Sequence, residues 1–136
     1  METAAQLRGR LDDIHAAGAE LVFVGNGAVR FARNFQEHHV PECEVYTDPA
    51  RASYLALGLR RTVMGTVDLR SVVAGWRARR AGHVQRSVEG DPFQLGGFFA
   101  VAKGGAIRYR HAHDSAGDRP NVDAALAALR AARSGR

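Results

Sequence analysis

Apolar side chains at Ala4, Leu7, Leu11 and Ile14 recur every three or four residues, the spacing that gathers them on one face of a helix. Gly18 predicts the end of that helix, and Thr3 with Gln6 has capping-box spacing for its start. The next run, Leu21-Val22-Phe23-Val24, is continuous instead of alternating, which predicts a strand covered on both faces and deep in a sheet. Gly25-Asn26-Gly27 turns the chain, with Asn26 as cap for a helix whose Phe31 and Phe35 share a face. A short strand is expected around Cys43-Glu44-Val45-Tyr46. Asp48-Pro49 then reads as N-cap and first residue of another helix, with Gly58 just past its end. Leu69, Val72, Val73 and Trp76 mark one more helical face, ending before Gly82, and residues 83–95 read as loop.

Beyond residue 95 the period shifts to two. Residues 98–102 are apolar on both faces, whereas Ile107, Tyr109 and His111 alternate with Arg108 and Arg110; Lys103-Gly104-Gly105 supplies a permissive turn between them. The first of these strands is therefore expected inside the sheet, and the second half-exposed, with charges that discourage further pairing. Val122, Ala125, Leu126 and Leu129 form a closing helix, capped by Asn121, with Asp123 in its first turn and Arg130 and Arg133 in its last. The predicted order, α-β-α-β-α-α-β-β-α, is that of an α/β domain, and no repeat or linker divides residues 1–136.

Composition narrows the function classes. A chain of 136 residues with 46% hydrophobic and 24% charged residues suits one soluble globular core, and no apolar run is long enough to span a bilayer. Met1-Glu2-Thr3-Ala4-Ala5-Gln6 lacks the basic and apolar regions of a signal peptide, so a cytoplasmic location is expected. The net charge of +5 comes from nineteen basic residues, among them the single lysine Lys103, spread along the chain. The densest cluster, Trp76-Arg77-Ala78-Arg79-Arg80, has groups that could meet phosphate and a base, but it reads more simply as a solvated helix end. Nucleic acid is not an expected partner.

One cysteine, Cys43, excludes an internal disulfide and any Cys-x-x-Cys pair, leaving metal binding to histidine and carboxylate. Glu42 and Glu44 flank Cys43, and their charges raise a thiol pKa; alternation with Val45 predicts an inward, structural side chain. His111-Ala112-His113-Asp114 and His38-His39 hold imidazole and carboxylate groups, and His113 with Asp114 has the composition of an acid/base pair. Asn26, between Gly25 and Gly27, follows an interior strand, a common ligand position in α/β sheets.

Four fragments, "AAQLRGRLDDIHAAGAELVFVGNG", "VYTDPARASYLALGL", "GDPFQLGGFFAVAKGGAIRYRH" and "AGDRP", together resemble the peroxiredoxin-like 2, or AhpC/TSA-like, family of thioredoxin-fold proteins. The resemblance covers nearly the whole chain, apart from residues 64–82. It implies a thioredoxin-like mixed sheet of about four strands, with a C-terminal hairpin and flanking helices. It also implies a first strand and a Cys-x-x-Cys motif at a helix start, where the dipole stabilises a thiolate. Neither has a counterpart in these residues, so the fold is expected in truncated form, with no cofactor or resident metal.

Asp91, Asp118 and His111 match family positions, as loop-building or hydrogen-bonded residues, while Ala112 stands where an arginine is usual; Asp91, Gly96, Gly97 and Asp118 join Gly25, Asn26 and Gly27 as candidate ligand-loop residues. In the implied arrangement the absent strand lies between the strands at 20–24 and 97–102. Two apolar edges are then left to close directly on each other, to exchange elements in a homodimer, or to take a strand from another partner chain. The leading functional expectation is a non-catalytic binding or assembly module. The alternatives are a thiol oxidoreductase or peroxide reductase with cysteines upstream, and a ligand- or metal-binding enzyme using residues 111–114.

Overall fold

The computed structural model describes residues 2–59, 95–114 and 118–135. The helix expected at 69–76, the arginine cluster at 76–80, Asp91 and Gly117 lie outside the described residues. Within them the chain forms α1 (Glu2–Arg8), α2 (Leu11–Ala16), β1 (Val22–Gly25), α3 (Val29–His39), β2 (Glu44–Thr47) and α4 (Ala52–Ala56). After residue 95 come β3 (Gly97–Val101), β4 (Ile107–Ala112) and α5 (Val122–Ser134).

The first amphipathic segment is two helices, not one. Gly9 weakens the helix from within, and Arg10 leaves the helical path with φ −114° and ψ 12°. Its guanidinium instead binds Asp13 at 2.6 Å and Asp123 at 2.5 Å, tying the break to the start of α5. The apolar face survives this bend: Leu7 and Ile14 are buried with Ala17, Val122 and Leu126 in one cluster, packed by Leu21, Phe23 and Phe98. A second cluster joins Ala4, Val40 and Cys43, packed by Leu11, Phe35 and Val45. Phe23 meets Phe35 edge to face at 5.7 Å, which seats α3 on β1.

Three expected caps are replaced. α1 begins at Glu2, so Thr3 lies inside the helix and cannot serve as its cap. Ala28, not Asn26, precedes α3 in extended backbone and offers no side-chain cap. The glycine-flanked loop is held instead by Thr47 Oγ1, which donates to the Gly27 carbonyl, and by the Asp48 N–H, which donates to the Gly25 carbonyl at 2.7 Å. α4 starts at Ala52, three residues beyond Pro49, behind Arg51 in left-handed backbone at φ 60°. Asp48 still organises this turn, accepting from the Ser53 N–H at 2.7 Å and the Ser53 hydroxyl at 2.6 Å. The Asn121 cap of α5 is as expected, its side chain accepting from the Ala124 N–H at 3.0 Å.

Among the described residues the strands form two separate pairs. β1 runs parallel to β2, with Phe23 beside Val45 and Val24 beside Tyr46. β3 runs antiparallel to β4, with Phe98 opposite His111 and Ala100 opposite Tyr109; the register slips at Val101, which faces Ile107. Gly104 and Gly105 turn the hairpin at φ 97° and 92°, where a side chain would be strained. β1 is not covered on both faces. Phe23 packs inward, but Val22 and Val24 are 43% and 47% exposed, because no described element lies over that face closely enough to bury them.

Candidate functional site

β1 and β3 do not pair with each other, yet both line one cleft of about 1010 Å³. β1 contributes Val22 and Val24, β3 contributes Phe99 and Val101, and α5 contributes Leu126 and Leu129. Tyr54 of α4 stands at the wall, and its hydroxyl donates to the Val24 carbonyl at 2.9 Å. Arg133 of α5 also lines the cleft and donates to the Ala17 carbonyl at 2.6 Å, joining α5 to the end of α2. The described lining of the cleft is therefore mostly apolar, with Glu20, Ser53, Lys103 and Arg133 among its polar members. Such a surface favours an apolar occupant, and strand edges favour one that can exchange backbone hydrogen bonds.

Gly96 and Gly97 belong to this site through close packing. The position of a Cβ on Gly97 would fall 2.8 Å from Leu59 Cδ2, 2.8 Å from Phe99 Cε2 and 2.9 Å from the His111 carbonyl oxygen. Gly97 thus lets β3 start against β4 and the segment after α4. Gly96 accepts from the His113 N–H at 3.0 Å and lies beside that residue's ring.

His111, His113 and Asp118 come together at the exit of β4. The two rings pack edge to face at 5.6 Å, and Asp118 Oδ1 lies 3.2 Å from His111 Nε2. Asp118 Oδ2 accepts from the Asp114 N–H at 3.1 Å. That backbone donor, and then His111, hold the Asp118 carboxyl below its ordinary range. Burial pushes the His113 imidazole below its ordinary value; the Asp118 charge acts the other way, and His111 adds a smaller lowering effect. Asp114 meets this group through its backbone, and His38 and His39 lie far along the chain on α3, where His39 stacks on Phe35. Among the described residues no group of three or more His, Cys, Asp or Glu side chains is arranged to hold a metal.

Cys43 is apart from both regions. It is 4% exposed beneath α1, and burial, followed by the Glu42 charge, raises its thiol pKa. Glu42 is itself engaged by Arg8, at 2.6 Å and 3.0 Å, and Glu44 accepts from the Tyr46 hydroxyl at 2.8 Å. A buried thiol with a raised pKa holds little thiolate at neutral pH, the opposite of what nucleophilic sulfur chemistry requires. Gly25, Asn26 and Gly27 cluster at the far end of β1, held by Thr47 and Asp48. What sequence reasoning missed is the α4 side of the cleft: Tyr54 lies within a family-resembling fragment, but nothing in its spacing to Val24 signals their contact.

Residues 6–115 match the AhpC/TSA antioxidant enzyme family. Among curated proteins, the thioredoxin-like protein AAED1, chloroplastic, of Arabidopsis thaliana is 33% identical over 134 residues, covering 92% of this chain and 54% of that protein. The chain spans about half the length of that relative. No solved structure matches it. The relative's chloroplastic designation corrects the cytoplasmic expectation, which rested on the first six residues alone. Those residues test only for a leader at their own position, and the matched protein is far longer than this chain.

Proposed function

The chain belongs to the AhpC/TSA antioxidant enzyme family of thioredoxin-like proteins, and from that premise we propose that it acts as a non-catalytic assembly module, its β1 and β3 edges completed by a second copy of the chain. The observation that carries this reading is the cleft. Two strands that pair with nothing on their facing sides, among the described residues, share one apolar space. Charge supports the direction of pairing. β4, on the far side of the hairpin, displays Arg108 and Arg110, whereas β1 and β3 carry no charged residue at all. Charged strands resist further pairing and uncharged ones invite it. A second copy supplies what such an edge needs, because its own β1 and β3 are uncharged strands of four and five residues. Two copies of one edge meeting about a twofold axis make a closed, self-complementary contact.

A thiol oxidoreductase or peroxide reductase is the second reading, favoured by the half-length match to a thioredoxin-like protein. Its cysteines would lie outside these residues, because Cys43 is buried and its thiol pKa is raised. Sedimentation velocity separates the assembly reading from its failure. The chain is expected to sediment as a dimer at micromolar concentration. Val24→Lys with Val101→Lys, which charges an exposed position on each edge, is expected to give a monomer. A wild-type monomer at 100 times that concentration overturns the proposal. So does peroxide consumption with a dithiol reductant that disappears in Cys43→Ser.

A further inference from the structure

The exit of β4 carries two histidines that the strand-pairing reading does not use. Nε2 of His111 and Nε2 of His113 are both enclosed by protein; the first faces the Asp118 carboxylate at 3.2 Å, and the second has no hydrogen-bond partner among the described residues. An imidazole nitrogen left like that of His113 is held by its surroundings and not by a bond of its own, so a change of charge there has structural consequences. The surroundings are few. β3 places Phe98 opposite His111 and adds no charge, and the segment entering α5 brings Asp118. Among the described residues, the charged or titratable groups acting on His113 are Asp118 and His111. Two backbone bonds fasten the group: the Asp114 N–H to Asp118 Oδ2 and the His113 N–H to the Gly96 carbonyl, and Gly96 lines the cleft.

We propose that His111, His113 and Asp118 form a proton-operated latch that ties the exit of β4 to Gly96, closed at neutral pH and released in mild acid. In the closed latch His113 is a neutral imidazole packed edge to face on His111. A proton taken from solvent would place an imidazolium in that enclosure, beside a second histidine, with one carboxylate already bonded to the Asp114 N–H to balance it. Burial makes the closed His113 a poorer base than the same histidine in an opened segment. The open form therefore binds protons more readily, and acid favours it. Between the two pKa values, lowering the pH by one unit multiplies the open population by up to about tenfold. Asp118, held below the ordinary carboxylate range, stays ionised throughout that window. A link between this latch and partner strands at the cleft rests on the assembly reading; the latch itself does not.

Native-state hydrogen exchange on the ¹⁵N-labelled 136-residue chain tests it. Protection factors at the Asp114 and His113 amides are expected to fall between pH 7.5 and pH 5.5, approaching the limit of about tenfold per unit. Amides in the middle of α5, such as Leu126, are expected to keep theirs, marking local opening. In His113→Gln the fall at Asp114 is expected to disappear. Within the wild-type protein, the His113 ring titration followed by NMR is expected to have its midpoint at the acid end of the fall in protection, where the closed form itself takes the proton. Constant protection across this range overturns the latch, as do an undiminished fall in His113→Gln and a His113 ring that titrates at or above the ordinary histidine value. A monomeric protein that shows the pH-dependent opening refutes only the assembly reading.

Discussion

Gly97→Ala is the sharpest test of how the hairpin is seated. The added methyl would meet two side-chain ends, Leu59 Cδ2 and Phe99 Cε2, each at 2.8 Å, and the His111 carbonyl oxygen at 2.9 Å. Leu59 and Phe99 can rotate, at the expense of their packing. The carbonyl cannot move alone, because it belongs to β4 beside the Gly97–Ala112 rung. Inserting a methyl into a filled site typically costs about 1–3 kcal/mol, and the rigid third contact places this one at the upper end, about 2–3 kcal/mol. For a chain of this size that corresponds to a fall in Tm of about 8–12 °C. Gly25→Ala is the matched control: no atom lies within 4 Å of its added methyl, and its effect is expected within about 0.5 kcal/mol. Urea unfolding followed by far-UV circular dichroism measures both, provided the slope with denaturant is unchanged. A Gly97→Ala variant within 0.5 kcal/mol of wild type would refute the steric argument. It would return Gly97 to the role of a ligand-loop residue.

Other consequences follow from the same packing. Leu126→Ala, at a position 3% exposed between α2 and the hairpin, is expected to cost about 3 kcal/mol in the same unfolding assay. Cys43 is expected to label slowly with a thiol reagent at pH 7.5 and rapidly once urea exposes it. Fast labelling of the folded chain would contradict its burial. Asp48, Asp118, Asp123 and Glu42 all have folded-state pKa values below their ordinary ones, Asp48 chiefly through Ser53 and Asp123 through Arg10. Their stabilisation is present above the unfolded carboxylate range near pH 4. It is lost as the pH falls through the folded values, so stability between pH 5 and pH 2 should decline less steeply in Asp48→Asn than in wild type.

Periodicity, read without any structure, located β1, β2, both strands of the hairpin and the closing helix, because each is a local pattern of apolar spacing bounded by glycine, asparagine or aspartate. The Asn121 cap was legible for the same reason: its acceptor oxygen serves a donor three residues away. The break at Arg10 was not legible. It depends on Asp123, more than a hundred residues distant, and helical spacing continues undisturbed on either side of it. Thr3 and Asn26 have the right chemistry for caps, but α1 begins at Glu2 and α3 at Val29, so neither residue stands at the N-cap position.

The candidate site divides along the same line. Residue types and order determined membership of a thioredoxin-like family, and the lone Cys43 between two glutamates determined that its thiol has poor local activation. The tertiary structure alone decided that β1 and β3 line one cleft without pairing with each other, that Tyr54 reaches the Val24 carbonyl, and that Asp118 joins His111 and His113. The physical reason is range. Helix and strand periods are written between neighbouring residues, whereas a cleft, a burial or an ion pair depends on which distant surfaces the fold brings into contact.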